Sequence, residues 1–424
     1  MKKNVVILSL LTVFLSACAH EPSYILSGEV KRLNAPQKDF SINYQYHLDE
    51  DYVNSLKSFA IDFQQQLEVE NNIYSPISIA TCLSMLSDGA KEETKREIAN
   101  VLHYDSSFNH LEEIKNMLIN DCYEIIDNYD QQVGSVVDIN QSIFIDNSFE
   151  EEIKQTYIDL LTDYYFAEVY TGALNSDSMH DALADWINNK TRDFLNVKGE
   201  DFKEYAGVLW LVNTIYTKAR WYHEFDESFD IKDNFTDLNG NKKEINFMRK
   251  NGMSTAYMND KYTISSLSLQ GRLAFKMLLP HEGLDYQDVL SDRNTLNDLL
   301  NITPNDYYEI NYRIPNFHFQ KDYDLNDILK KMGCNLAFDP MNANFKDIAE
   351  SDDYNLFLAK SKHAAGIDVN HDGIEAAAYT LMVMEATSAA PGEKEIDFYL
   401  NRPFMYALTN GDGIPLFIGT ITNL

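Results

Sequence analysis

Basic residues are scarce: 35 Lys and Arg stand against 66 Asp and Glu, for a net charge of -31. That balance repels phosphate backbones and anionic lipid headgroups, so it argues against nucleic acid or a bare membrane surface as a partner. Cysteine is scarce too. The four residues Cys18, Cys82, Cys122 and Cys334 contain no C-x-x-C pair, and with Cys18 set aside an odd three remain. These read as small buried hydrophobes, not as a disulfide framework. Catalytic signatures are missing: no G-x-S-x-G, no H-E-x-x-H and no phosphate loop occurs. His281-Glu282 lacks its second histidine, and the ten histidines form no metal-spaced pair. Asp368-Val-Asn-His-Asp372-Gly373 opens like a calcium loop, but Tyr379 stands at the twelfth position, where a bidentate glutamate is needed. The expectation is no enzyme, no metal and no cofactor. Repeats, low-complexity tracts and long charge blocks are absent as well.

What is present suits a large folded body, since 424 residues with 45% hydrophobic and 12% aromatic content can bury a sizeable core. Met1-Lys-Lys, the apolar run Val5 to Leu15 and then Leu15-Ser-Ala-Cys18 look like a bacterial lipoprotein signal. The run is too short to span a bilayer as an ordinary helix. Residues 1–17 are therefore expected to be a signal peptide and 18–50 a tether lipidated on Cys18, with 51–424 the folded domain. The location that follows is the bacterial cell envelope on the extracytoplasmic side. Ala19 is compatible with outer-membrane sorting, and the chain would meet membrane through its lipid anchor only.

Patterning predicts one mixed domain. Leu56, Phe59, Ala60, Phe63 and Leu67 recur at helical spacing, as do Ile114, Leu118, Cys122 and Ile125. Strand-like runs cover 137–145, 208–216, 273–279, 308–314, 404–408 and 416–421, and Asn239-Gly240-Asn241 signals a turn between two strands. Strands scattered among helices without βαβ regularity indicate an α+β fold.

The segment from Gly373 reads two ways, as an exposed loop and as a strand waiting for a sheet. From Ile374 to Ala386 the even positions are Ile374, Ala376, Ala378, Thr380, Met382, Met384 and Ala386, whereas Glu375 and Glu385 are odd. No proline falls between Gly373 and Ala390 to remove a ladder donor.

From about Asp51 to its end the chain resembles the serpins. Asn71-Asn-Ile-Tyr-Ser-Pro76-Ile-Ser78, followed by Leu86-Ser-Asp-Gly-Ala90 and Thr94, looks like the serpin segment entering its buried central helix. Asn140-Gln-Ser-Ile-Phe is similar to a long central strand of the family, and Val212-Asn213-Thr-Ile-Tyr216-Thr-Lys218-Ala-Arg-Trp221 matches N-x-x-Y-F-K-x-x-W with Thr217 in place of phenylalanine. His363 lies ten residues before Gly373, and Pro403-Phe404 with Pro415-Leu-Phe-Ile-Gly419 closes the chain as serpins close.

The resemblance implies a large central sheet, two further sheets, a helix-rich layer and an exposed reactive-centre loop over about 373–397. It gives Ser75, Ser78, Asn213 and His363 the role of a hydrogen-bonded shutter, Trp221 a place at the breach where insertion starts, and Gly373, Ile374, Glu375, Ala376, Ala377, Ala378, Tyr379 and Thr380 that of the hinge. The implied mechanism is suicide inhibition by a monomer whose partner is a serine or cysteine protease: the protease is acylated and the cut loop inserts as a new strand. At about 3.3 Å per residue, fourteen residues carry the protease roughly 45 Å. Counting fourteen beyond Gly373 puts the reactive bond at Thr387-Ser388, with Met384, Glu385 and Ala386 as nearby alternatives. Thr387 between small neighbours suits elastase-like, subtilisin-like or papain-like enzymes, not trypsin. Ile374 is bulkier than the residue inhibitory members commonly carry at that hinge position, and a non-inhibitory serpin acting as a binding or storage protein is the alternative.

Overall fold

Ser75 begins the element around which the rest is arranged. Its side chain accepts from the backbone N–H of Ser78, and Pro76, which has no N–H to leave unpaired, occupies the first helical turn. Every residue of the resulting helix Pro76–Asp88 is buried except Cys82, and the helix packs between the strands Leu209–Arg220 and Pro415–Ile421 of two different sheets. The structure is a computed structural model and describes residues 30–34, 46–126, 133–205, 207–350, 355–376 and 395–424.

The central sheet runs Lys31–Asn34, Glu168–Gly172, Val133–Asp146, Leu209–Arg220, Gly373–Ala376, Lys362–Val369, Phe317–Asp324, with Tyr123–Ile126 added beside Val133–Asp146. The expected two further sheets are continuous with each other. They share the long strand Lys242–Met258, whose first part pairs with Ile231–Thr236 and whose last residues pair with Tyr262–Leu269. The turn at Asn239-Gly240-Asn241 joins the first two of these strands, with Gly240 at φ 81° and the Asp237 carboxylate accepting from the N–H groups of Asn239 and Asn241. Phe404–Thr409 and Pro415–Ile421 are buried along their whole length.

The helical spacing read through Ile125 ends sooner. The helix is His110–Asn120, and Tyr123–Ile126 leaves it to pair with Val133–Asp146, a tertiary pairing that overrides the local period. Cys122 and Cys334 are buried and Cys82 is half-buried. Burial pushes the thiols of Cys82 and Cys334 up to about 12. No helix among the described residues is long and apolar enough to cross a membrane.

Within the stretch expected to be a tether, two pieces are docked. Lys31–Asn34 adds an antiparallel strand to the edge of the central sheet, Lys31 opposite Thr171 and Arg32 opposite Tyr170. Val30 packs into a cluster with Phe144, Tyr170, Leu174, Met179, Leu183 and Trp186. Arg32 reaches the Glu168 carboxylate at 3.3 Å, where Lys190 also lies at 2.8 Å. Burial works to raise the Glu168 carboxyl, but Lys190, Tyr170 and Arg32 together hold it below its ordinary range. Further along, Tyr46 donates to Glu113 and His47 meets Asp412 at 3.0 Å. The paired edge and the buried valine are the physical reason this stretch is not a free linker. Removing residues through Asn34 is expected to lower stability by about 2 kcal/mol, from lost Val30 burial and from a Glu168 left with one cation fewer. Thermal melting of the shortened and parent chains measures it.

Candidate functional site

Gly373–Ala376 is already a strand. It pairs antiparallel with Leu209–Arg220, Gly373 opposite Arg220 and Ile374 opposite Ala219, and also antiparallel with Lys362–Val369, Ile374 opposite Val369. The exposed start expected for the hinge is thus corrected: its first four residues lie within the sheet, and Ile374 is 2% exposed among core residues. A β-branched apolar side chain loses little in a strand and gains from burial, so the bulk of Ile374 suits the inserted position. Glu375 points to the opposite face, as strand alternation requires. At the far end, the loop region expected to reach 397 gives way earlier, because Glu395–Tyr399 pairs in parallel with Asp306–Pro315. The hinge residues Ala377, Ala378, Tyr379 and Thr380, the bond Thr387-Ser388 with Met384, Glu385 and Ala386, and the anchor Cys18 lie outside the described residues.

A tight turn feeds the hinge. Asn370 N–H donates to the Gly373 carbonyl at 3.0 Å, and the Asn370 side-chain oxygen accepts from the N–H groups of Asp372 and Gly373. The residues that resemble a calcium loop are used here as turn builders. Trp221, 1% exposed, closes the turn from below: its indole N–H donates to the Asn370 carbonyl at 2.8 Å and its backbone N–H to the Asp372 carbonyl at 3.0 Å. Its ring packs edge-on against Phe225 and Phe275. Glycine is required at 373, since a Cβ there would meet the Ala219 carbonyl oxygen at 2.0 Å.

The four shutter residues come together as two pairs. Ser75 N–H donates to His363 Nε2 at 2.9 Å, and the Ser78 hydroxyl donates to Asn213 Oδ1 at 2.5 Å. Ser75 and Ser78 share the N-terminus of the buried helix, so one rigid element holds the histidine of one strand and the asparagine of another. Since Ile374 pairs with both Ala219 and Val369, the two flanking strands run parallel and in step. Six residues back along each, Asn213 and His363 therefore fall on one row. Below Ala376 these strands share no ladder with each other among the described residues, and Asn213 Nδ2 has no hydrogen-bond partner among them. The His363 ring stacks near Tyr323, and burial lowers its pKa to about 3. The neutral ring with Nε2 as acceptor is the form that fits a backbone N–H donor.

Sequence reading missed the outward face of the hinge. The Glu375 carboxylate accepts from the Tyr216 hydroxyl at 2.8 Å and lies 3.3 Å from Lys218 Nζ. Burial and this hydrogen bond raise the Tyr216 pKa. Tyr216 and Lys218 were visible in the N-x-x-Y-F-K-x-x-W pattern, but only the register places them beside Glu375.

Two central strands thus flank a four-residue strand at one end, above two polar contacts to a single helix. The family described as Serpin (serine protease inhibitor) matches residues 54–424, and the chain belongs to it. A serpin-like protein of Methanosarcina acetivorans is 27% identical over 386 residues, covering 88% of this chain and 86% of its own. Mouse neuroserpin is 27% identical, covering 84% and 87%. Among solved structures, the native state of the thermophilic serpin tengpin aligns with a TM-score of 0.73 at 21% identity, over 93% of this chain and all of that one. Its latent state aligns with a TM-score of 0.69 at 20% identity, over 89% and 99%. Serpins are generally protease inhibitors and not enzymes.

The His363 environment gives a signed pH dependence. The unfolded chain takes up a proton near pH 6.5 that the folded ring refuses until about 3, so stability present above 6.5 is lost as pH falls through that window. The contribution is up to about 5 kcal/mol. His363→Gln is expected to flatten this part of the profile, read as urea midpoints between pH 7 and 4; an unchanged acid slope would contradict it.

Proposed function

We propose that the chain is a suicide inhibitor of serine proteases, and by the same acyl chemistry of papain-like cysteine proteases. The observation that carries the reading is the double ladder at Gly373–Ala376, which sits between two parallel strands that share no lower ladder among the described residues. Each further loop residue that entered would find donors and acceptors on both sides. In the reaction, the protease nucleophile attacks the Thr387 carbonyl carbon, the Thr387-Ser388 bond breaks, and the new amine of Ser388 leaves with a proton. The acyl ester stays on Thr387. Insertion then outruns the water that would hydrolyse it, and the tethered protease is carried across the inhibitor. Small residues around the bond favour elastase-like, subtilisin-like or papain-like partners.

With residues 1–17 as a leader and Cys18 as a lipid anchor, this activity belongs at a bacterial envelope, outside the cytoplasm. Protection against foreign proteases is the purpose that fits.

The test mixes the protein with an elastase, a subtilisin, papain and trypsin, followed by denaturing gels and mass spectrometry. The expected result is a covalent adduct with one of the first three and a released peptide beginning at Ser388. Loop cleavage that leaves the protease fully active would instead identify a non-inhibitory, binding or storage role. A second outcome follows from the row shared by Asn213 and His363. Counting six residues from Ile374 in the same register, Thr380 would arrive between them, its hydroxyl able to accept from Asn213. Thr380→Arg should therefore abolish the adduct while loop cleavage continues, because a guanidinium would have to enter a site where burial already refuses a proton to His363.

A further inference from the structure

One row of residues crosses the outer face of the central sheet at the level of the hinge. His318 pairs with Asp368, Asp368 with Glu375, Glu375 with Lys218, Lys218 with Val136, and Val136 with Glu124. Glu375 is thus held between a cation and a carboxylate. On one side stand Lys218 at 3.3 Å and the Tyr216 hydroxyl at 2.8 Å. Arg192 lies over the Tyr216 ring at 5.2 Å and is itself paired with Glu124. On the other side Asp368 directly opposes Glu375, an arrangement that is unfavourable for like charges on neighbouring strands. Asp368 has compensating partners of its own, with Asn370 Nδ2 at 2.5 Å and His318 Nδ1 at 3.7 Å.

We propose that this row sets the resting depth of the hinge, with Lys218 and Tyr216 drawing Glu375 into the sheet and Asp368 pressing it out. Lys218 is the shared element. Because the flanking strands run parallel and in step, withdrawal of Gly373–Ala376 and closure of the gap bring Lys218 and Asp368 into adjacent positions on one row. Lys218 then exchanges the Glu375 carboxylate for that of Asp368. The hinge-in state keeps the Tyr216 hydrogen bond and the burial of Ile374; the hinge-out state relieves two opposed carboxylates. Lys218 and Asp368 are therefore positioning residues for the inserted loop. The inference deepens the inhibitory reading but concerns a position of the chain that is measurable with no protease present.

Hydrogen exchange of the backbone amides of residues 374–376, followed by mass spectrometry on the full chain, reads that position directly. Asp368→Asn should slow exchange there by roughly threefold. Lys218→Glu, which sets three carboxylates in a row, should speed it by roughly tenfold. Lys218→Glu combined with Glu375→Lys restores alternation, since the hinge then carries the cation and a carboxylate faces it from each flanking strand. Protection in this double variant should return to the parental level or above it. A merely structural role for Lys218 would not be rescued by the exchange of charges. Equal exchange in all four proteins, or no recovery in the double variant, would overturn the proposal. Failure of every protease to form an adduct would instead strike the inhibitory reading and leave these exchange rates intact.

Discussion

Two parallel strands with a short antiparallel strand between their ends form the constraint on which this structure depends. Parallel neighbours are ordinarily joined by long crossovers and hydrogen-bond to each other directly. Here Gly373–Ala376 lies between Leu209–Arg220 and Lys362–Val369, and Ile374 and Glu375, paired on both sides, set the distance between the two strands at that level. Everything placed around the hinge serves that spacing. The Asn370 turn aims the chain back along its own strand, Trp221 supports the turn, and Gly373 lets the backbone pass close to the Ala219 carbonyl.

The four residues expected to form a shutter tie the same two strands to one helix. The N-terminus of one buried helix grips His363 through a backbone donor and Asn213 through a hydroxyl, so the two strands are fastened to a common post. Hydrogen bonds of this kind are modest in net worth while satisfied and costly once a buried partner is left alone. Loss of either partner would therefore cost more than the bond itself is worth. A neutral His363 suits this role, since a protonated ring would have no acceptor left for Ser75.

Much of this was legible in the sequence. The Ser75–Ser78 segment, the Asn213 to Trp221 pattern and the ten-residue step from His363 to Gly373 each sit on an element whose local signal is strong: a cap, a long strand and a tight turn. The inward position of Ile374 could be read from alternation alone. What stayed hidden depends on register between distant strands. Nothing local links His318, Asp368, Glu375 and Lys218, and nothing in residues 30–34 announces that Val30 and Arg32 will be claimed by Trp186 and Glu168. The early end of the helix at Asn120 is of the same kind, because Tyr123–Ile126 follows its neighbour strand and not its own period.

The wholly buried strand Pro415–Ile421 lies beside Asn72–Tyr74, with Ile418 opposite Tyr74 and Thr420 opposite Asn72, and the side-chain oxygen of Asn71 accepts from Thr422 and Asn423. These partners are separated by nearly the whole domain in sequence. During synthesis the Asn72 strand would wait for its neighbour until the hinge and the strands after it had appeared. Contacts of such long range form slowly. The second sheet is therefore completed only once both ends of the domain are present together.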